Sequence, residues 1–591
     1  MKIKLILIGI AALAFTGCKK ILDADPENLK DIDAMYTDGS YAQGFVVTAY
    51  RSIPGYYDNS DYATDDAVTN QRTNNFLQLA TGSWTAANNP VSVWTQAYAA
   101  MQYLNLFLER SDKVFWANDQ EANKLFNMRM RGEAFGLRGL YMYYLLRAHG
   151  GIGEDGQLLG VPIITELKTI ESDVNVPRAT FEACVKQIYK DLDSAEVYLP
   201  LEYNDVTNVS QIADRFKAIT QRTDVYNRVM GAYSRQLFNG LIAKSFRART
   251  ALLAASPAFQ NASNTTTWAN AAEYAGAIID YKGGVGALPA TGVTYYTNKS
   301  EIDNLSGGSN APEIIWRENV ATNESSQETA NFPPSLFGSG NMNPTQNLVE
   351  SFPMANGYPI THANSNFNPA SPYAGRDPRL NTYIVFNGAS MGEGAAARVI
   401  TTGSKSATDD GINKREISTR TGYYMRKRLR MDVNRNPASI TQKNHVTPRL
   451  RYTEFYLAYA EAANEAWGPT GVGTRPYSAY DVIKRIRTRA GVGTTNGDAY
   501  LEECKADKNK MRDLIRNERR LELCFESFRF WDIRRWKANL TAPARGLDVN
   551  PGSIAPLEVE NRSYADYQYY GPIPFSEILK FNNLKQNRGW K

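Results

Sequence analysis

Eight stretches of this chain carry apolar side chains at a spacing of three and four residues, and that spacing limits the fold more than any other feature of the sequence. From Trp94 to Arg110 the positions Trp94, Ala97, Tyr98, Met101, Leu104 and Leu108 form one apolar stripe of a helix. A longer helix is predicted from Glu121 to His149, stopped by Gly150 and Gly151. Its small residues Gly132, Ala134, Gly136 and Gly139 leave room for a neighbouring helix to approach. Thr180 to Tyr198, Asn239 to Ala255, Ala269 to Tyr281, Tyr452 to Trp467, Ala479 to Ala490 and Asp507 to Phe525 follow the same rule. Eight helices make four pairs. The predicted fold is therefore mainly α, a helix-pair scaffold of the tetratricopeptide kind, although no fixed period marks the repeats.

Between residues 282 and 448 the helical pattern stops, and Asn, Gly, Ser, Thr and Pro dominate. The apolar runs there are short, as in Glu313-Ile314-Ile315-Trp316 and Tyr383-Ile384-Val385-Phe386, and read as short strands. Structureless loops beyond roughly 15 residues are uncommon in compact domains, so a loop-rich region of this length is expected to carry function. Residues 41–591 are read as one domain, with the helical scaffold at 94–281 and 449–536 and a ligand-binding region at 282–448.

The N-terminus, MKIKLILIGIAALAFTGCKK, places Lys2 and Lys4 ahead of an apolar run from Leu5 to Phe15. That is the pattern of a secretory signal peptide, residues 1–17, and the run is far shorter than the roughly 20 residues that span a bilayer. Thr16-Gly17-Cys18 resembles a bacterial lipobox, which makes Cys18 the expected site of lipidation and the lipid the expected membrane anchor. Residues 18–40 are read as the lipidated end and a polar tether. Cys184, Cys504 and Cys524 then remain, an odd set without metal spacing, expected as buried free thiols.

Composition excludes more than it selects. A net charge of +5 is the small difference between 66 basic and 61 acidic residues, which argues against a nucleic-acid partner. His149, His362 and His445 are the only histidines and lie far apart, so imidazole-based metal sites and catalytic triads are disfavoured. No G-x-S-x-G, H-E-x-x-H, C-x-x-C or Walker-type loop occurs. Glu518, Glu522 and Glu526 recur every four residues beside Arg519, Arg520 and Arg529, a spacing that suits ion pairing which fixes a helix against its neighbours. A glycosidase would instead need two carboxylates facing each other across a sugar. Glu461 and Glu465, on an alanine-rich helix, are read as packing and surface residues.

Several segments, in order, resemble one known family. They are GEAFGLRGLYMYYLLRAHGG with the following Gly160-Val161-Pro162, IAKSFRARTALLAASPAF at 242–259, PTQNLVESFPMANG at 344–357 and RDPRL at 376–380. PRLRYTEFYLAYAEAANEA at 448–466, YDVIKRIRTRAGV at 480–492, RNERRLELCFESFRFWDIRRW at 516–536 and YGPIPFSEILKFNNLKQNRGW at 570–590 complete the series. Together with the lipobox they resemble the RagB/SusD family of surface nutrient-binding lipoproteins. The resemblance implies a SusD-like fold and a ligand site built from the N-terminal and loop-rich parts, away from the repeats. It also implies a non-catalytic protein that captures oligosaccharide or polysaccharide at the outer membrane, facing the cell exterior, and delivers it to a SusC-like TonB-dependent transporter. Peptide uptake on the same architecture is the alternative, with glycan hydrolysis behind it. No cofactor is expected; a structural calcium in the loops stays open.

Saccharide binding calls for flat aromatic faces with Asp, Asn or Arg beside them, and loops are the natural place for both. Tyr56, Tyr57, Asp65 and Asp66 in SIPGYYDNSDYATDDAV are candidates, as are Tyr295, Tyr296 and Phe337 in the loop-rich region. Trp84, in GSWTAANNP, reads either as an exposed stacking platform or as a core anchor for the next helix. Arg376 reads either as a donor to ligand hydroxyls or as an internal brace. Trp94 and Trp316 are assigned to the core, and Tyr98 and Tyr144 to the spaces between helices.

Overall fold

A computed structural model describes residues 30–591, so the signal sequence and Cys18 lie outside the described residues. The scaffold helices are α1 (Gly39–Arg51), α2 (Trp94–Arg110), α3 (Gln120–His149), α4 (Phe181–Tyr198), α5 (Gly240–Ala255) and α6 (Trp268–Lys282). They continue with α7 (Tyr452–Trp467), α8 (Ala479–Ala490), α9 (Lys508–Glu522) and α10 (Arg529–Arg535). Asp119, Thr180, Asn239, Thr267, Ser478 and Asp507 each accept a hydrogen bond from a first-turn amide of the helix they precede. These caps satisfy donors that would otherwise be orphaned, at about 1 kcal/mol each.

Packing follows chain order: each helix from α1 to α7 lies against the next, and α7 also meets α8 and α9. The glycines of α3 allow this, since a Cβ on Gly132 would lie 2.6 Å from Leu199, and one on Gly136 would enter the Phe238 ring. Tyr98 packs on Trp94 and Tyr144 on Phe246, in line with their assignment between helices. Trp94 and Trp316 are buried, as are the free thiols Cys184, Cys504 and Cys524. The end of α3 differs in mechanism from the prediction. Gly150 is extended, with φ −64° and ψ 142°, so the helix has no left-handed cap. Gly151 is needed for space, because a Cβ there would sit 2.7 Å from that of Tyr570.

The tether prediction needs correcting at its C-terminal end. Ile32–Tyr36 already forms a helical turn, and Met35 within it is fully buried.

Although α6 and α7 are neighbours in space, the whole loop-rich region lies between them in sequence. The region is thus an insertion between two successive scaffold helices. Short two-stranded ribbons organise it, built from β1 (Ala67–Thr69), β2 (Ile314–Arg317), β3 (Met342–Pro344), β4 (Pro448–Arg451), β5 (Ala544–Asn550) and β6 (Ser553–Glu560). Antiparallel pairing of β2 with β4 carries the chain directly into α7. The β5–β6 hairpin, turned at Pro551-Gly552 with Gly552 at φ 71°, was not anticipated from the sequence.

A buried ionic network fastens the insertion to the scaffold. Arg379 donates to Glu518 at 2.8 Å and Glu522 at 2.9 Å, and Arg487 donates to the other oxygen of Glu518 at 2.8 Å. Arg451 bridges Glu526 and Glu313, each at 2.8 Å, and Lys427 also reaches Glu526, at 2.7 Å. Burial alone would push Glu522 up, yet Arg489, Arg379, Arg451 and Lys427 hold it down at about 2. The carboxylates at every fourth position therefore do fix α9 against its neighbours, with partners drawn from other elements. Glu461 is likewise no surface residue: it is buried and takes both arms of Arg535 at 2.6 Å.

Candidate functional site

Antiparallel pairing of β1 with β3 sets Thr69 opposite Met342 and Ala67 opposite Pro344. The loops that leave this ribbon, 70–74 and 339–341, therefore start side by side. Asn70 ties them by donating to the carbonyls of Ser339 at 2.8 Å and Gly340 at 3.0 Å. A third loop, 413–420, closes over them. Its anchor is Arg420, which is buried, donates to Thr69 O at 2.9 Å and pairs with Glu560 of β6 at 3.0 Å. The Arg420 amide donates to Asn343 Oδ1 at 3.0 Å, so β3 holds the same residue from the backbone side. Gly340 sits at φ 54°, and a Cβ there would lie 2.6 Å from Ile417 O, so the close approach of these two loops requires glycine.

The three loops enclose an open groove of about 890 Å³, larger than the clefts of about 280, 340 and 450 Å³ elsewhere on the molecule. Its lining is polar: amides from Asn70, Gln71, Asn74, Asn341 and Asn413, hydroxyls from Thr73, Ser339 and Ser418, and guanidinium groups from Arg72, Arg415 and Arg420. Glu416 is the one carboxylate of the lining and Ile417 its one large apolar side chain. Arg415 pairs with Asp409 at 2.9 Å, and the Ser418 hydroxyl donates to Asp409 O at 2.6 Å, which stiffens the outer loop. Burial holds Arg420 below the ordinary guanidinium range; Glu560 opposes this, and nearby Arg72 adds to it.

Most of the residues singled out in the sequence lie outside this groove. Trp84 is buried, 3% exposed, and its indole N–H donates to Asn89 Oδ1 at 3.0 Å. Its ring packs on Trp590 at 4.9 Å and Phe530 at 5.8 Å, so it is a core anchor and offers no platform. Arg376 is a buried brace that donates to the carbonyls of Val349 and Phe352, each at 2.6 Å. Tyr295 is buried with its hydroxyl at Val446. Tyr296 is half-buried, with the Arg426 guanidinium 3.7 Å from its ring centroid.

Tyr56 and Tyr57 are half-buried at a different place, where helices meet. The Tyr56 hydroxyl donates to Glu526 at 3.2 Å, and Arg428 lies 3.7 Å from the Tyr57 ring centroid. Asp65 takes Arg529 at 2.8 Å and Arg520 at 3.0 Å, and Asp66, fully buried, takes Arg520 at 2.6 Å. Both carboxylates are structural ion-pair partners. Beside them the buried Asp61 is pushed up to about 7 by burial and by the Asp66 charge.

Phe337 alone among the aromatic candidates is well exposed, at 50%, and it stands two residues before Ser339 of the groove wall. The groove residues proper were missed because they come from three separate segments. The only local signals are the polar runs NQRTNN at 70–75 and DDGINKREISTR at 409–420.

Two family models cover most of the chain. One, described as the SusD family, matches residues 312–590; the other, described as starch-binding associating with outer membrane, matches residues 35–216. The chain belongs to the SusD family. A SusD-like protein of Formosa agariphila is 22% identical over 92% of this chain and 93% of its own length. Among solved structures, a SusD-like protein from Bacteroides fragilis superposes with a TM-score of 0.70 at 23% identity, covering 94% of this chain and 98% of that one. A SusD-like carbohydrate binding protein from the same species gives 0.66 at 21% identity, over 93% and 100% of the two chains. These similarities confirm the mainly helical SusD-like fold. Within the SusD family model the segment 312–590 contains the ionic network's acidic residues and two walls of the groove, 339–341 and 413–420, while the N-terminal model contains the 70–74 wall.

Proposed function

We propose that this SusD-family protein is a non-catalytic binding protein that captures an oligosaccharide in the groove between loops 70–74, 339–341 and 413–420. The observation that carries this reading is the lining itself. The side chains of Gln71, Arg72, Asn341 and Asn413 reach the groove and, among the described residues, have no protein hydrogen-bond partner. Amides supply both donors and acceptors, which suits the paired donor and acceptor character of sugar hydroxyls. The lining's one carboxylate, Glu416, gives no opposed pair for glycosidic acid–base chemistry, which supports binding without turnover. Glu518 and Glu522 of α9 are neutralised inside the protein by Arg379, Arg487 and Arg489.

In this reading the bound glycan is handed to a SusC-like TonB-dependent barrel, and Cys18 lipidation holds the protein on the outer membrane, facing outward. The resemblance of the N-terminus to a lipobox supports the anchor, and the outer-membrane description of the matching N-terminal model supports the location. Calorimetry against a panel of glycans and peptides tests the ligand class. Saturable glycan binding without released product is expected; binding of peptides alone, or product accumulating on long incubation, would reject the reading.

A further inference from the structure

The groove has an uneven charge. Arg72, Arg415 and Arg420 face it against Glu416 alone. Two of the three guanidinium groups are already answered, Arg415 by Asp409 at 2.9 Å and Arg420 by Glu560 at 3.0 Å. Glu560 is moreover shared with Arg562, and Lys414 stands next to Arg415 in the outer loop. Arg72 has no carboxylate partner among the described residues, and it lies close enough to the buried Arg420 for the two like charges to oppose each other. An anion placed between them would relieve that opposition and take a planar, two-pronged donor.

The apolar side of the lining points the same way. Among the described residues no aromatic ring lines the groove, and the exposed Phe337 lies two residues before its wall residue Ser339 in sequence. A neutral sugar held chiefly by stacking would need such a ring, whereas an acidic sugar can be held by charge-assisted hydrogen bonds with amides serving its hydroxyls.

We infer that the groove selects an acidic glycan, one bearing carboxylate or sulfate groups, and that Arg72 is the residue that pairs with the acidic substituent. This rests on the groove being the glycan site proposed above. Arg72 is exposed and its side chain touches no other element through a hydrogen bond, so Arg72→Gln is expected to melt like the parent.

The test is calorimetric titration of the full chain with three probes of similar length: neutral cello-oligosaccharide, oligogalacturonate carrying carboxylates, and carrageenan oligosaccharide carrying sulfates. An acidic probe should bind about tenfold or more tighter than the neutral one, weaken as salt is raised, and lose about tenfold in Arg72→Gln. Comparison of the two acidic probes then assigns carboxylate or sulfate. Equal or tighter binding of the neutral probe, or unchanged acidic binding in Arg72→Gln, would overturn the acidic assignment and leave the glycan reading standing. Binding of no probe by the parent protein, with peptides bound instead, would overturn both.

Discussion

The core around α9 and the groove around Arg420 are built from the same residue types, and they use them in opposite ways. In the core, Glu518, Glu522 and Glu526 are buried, and arginines or a lysine from four other segments hold them in bonds of 2.7 to 2.9 Å. Nothing there is left to offer a ligand. Around the groove the same chemistry is stopped halfway: Arg420 is anchored and paired, while Arg72, Gln71, Asn341 and Asn413 are held out from well-braced loops without a protein partner. The contrast teaches that charge pattern in the sequence marks structure where each group finds a partner, and marks a site where the backbone is fixed and the side chains are not.

The largest expected effect comes from breaking the core side of this comparison. Arg451→Ala leaves Glu526 and Glu313 buried with a charge and one partner fewer, and should cost about 3–5 kcal/mol in chemical denaturation. A loss within about 0.5 kcal/mol would mean that the network does not weld insertion to scaffold. Gly340→Ala puts a Cβ against Ile417 O at a positive φ and should cost about 1–3 kcal/mol while weakening ligand capture, because two groove walls are forced apart. Unchanged binding in that variant would detach the groove from the ligand.

Asp61 gives a smaller and more specific effect. It keeps its proton in the folded protein up to about 7, against 3.8 as a free side chain. Between those values the unfolded chain releases a proton that the fold retains, so this residue's contribution to stability falls as pH rises through the window. Asp61→Asn removes that dependence. Its melting temperature should gain on the parent steadily across the window and then run parallel above it. A constant difference at all pH values would contradict the assignment.

Much of the scaffold was legible because helices declare themselves locally. The stripe from Trp94 to Leu108 and the small residues of α3 need no distant partner to be read. The insertion between α6 and α7 could be seen as a change of composition, although its attachment could not. Arg379 and Lys427 reach Glu522 of α9 from 143 and 95 residues away, a relation that no periodicity encodes.

Trp84 shows the same limit from the other side. Its neighbours in sequence are polar, yet its partners Phe530, Tyr564 and Trp590 lie more than 440 residues on and bury it. Tyr295 is hidden in the same manner by Val446. The search for aromatic faces thus led to core residues, and the groove went unseen because its amides are brought together only by the β1–β3 ribbon and the hairpin that supplies Glu560.

The central claim, that the partnerless amides of the groove are the ligand contacts and the charged core is not, meets its most direct test in the double variant Asn341→Ala, Asn413→Ala. Its stability should stay within about 0.5 kcal/mol of the parent, since neither side chain makes a protein hydrogen bond. Calorimetric titration with the glycan that the parent binds best should then show affinity reduced about tenfold or more. Parental affinity in a normally folded double variant would contradict the account.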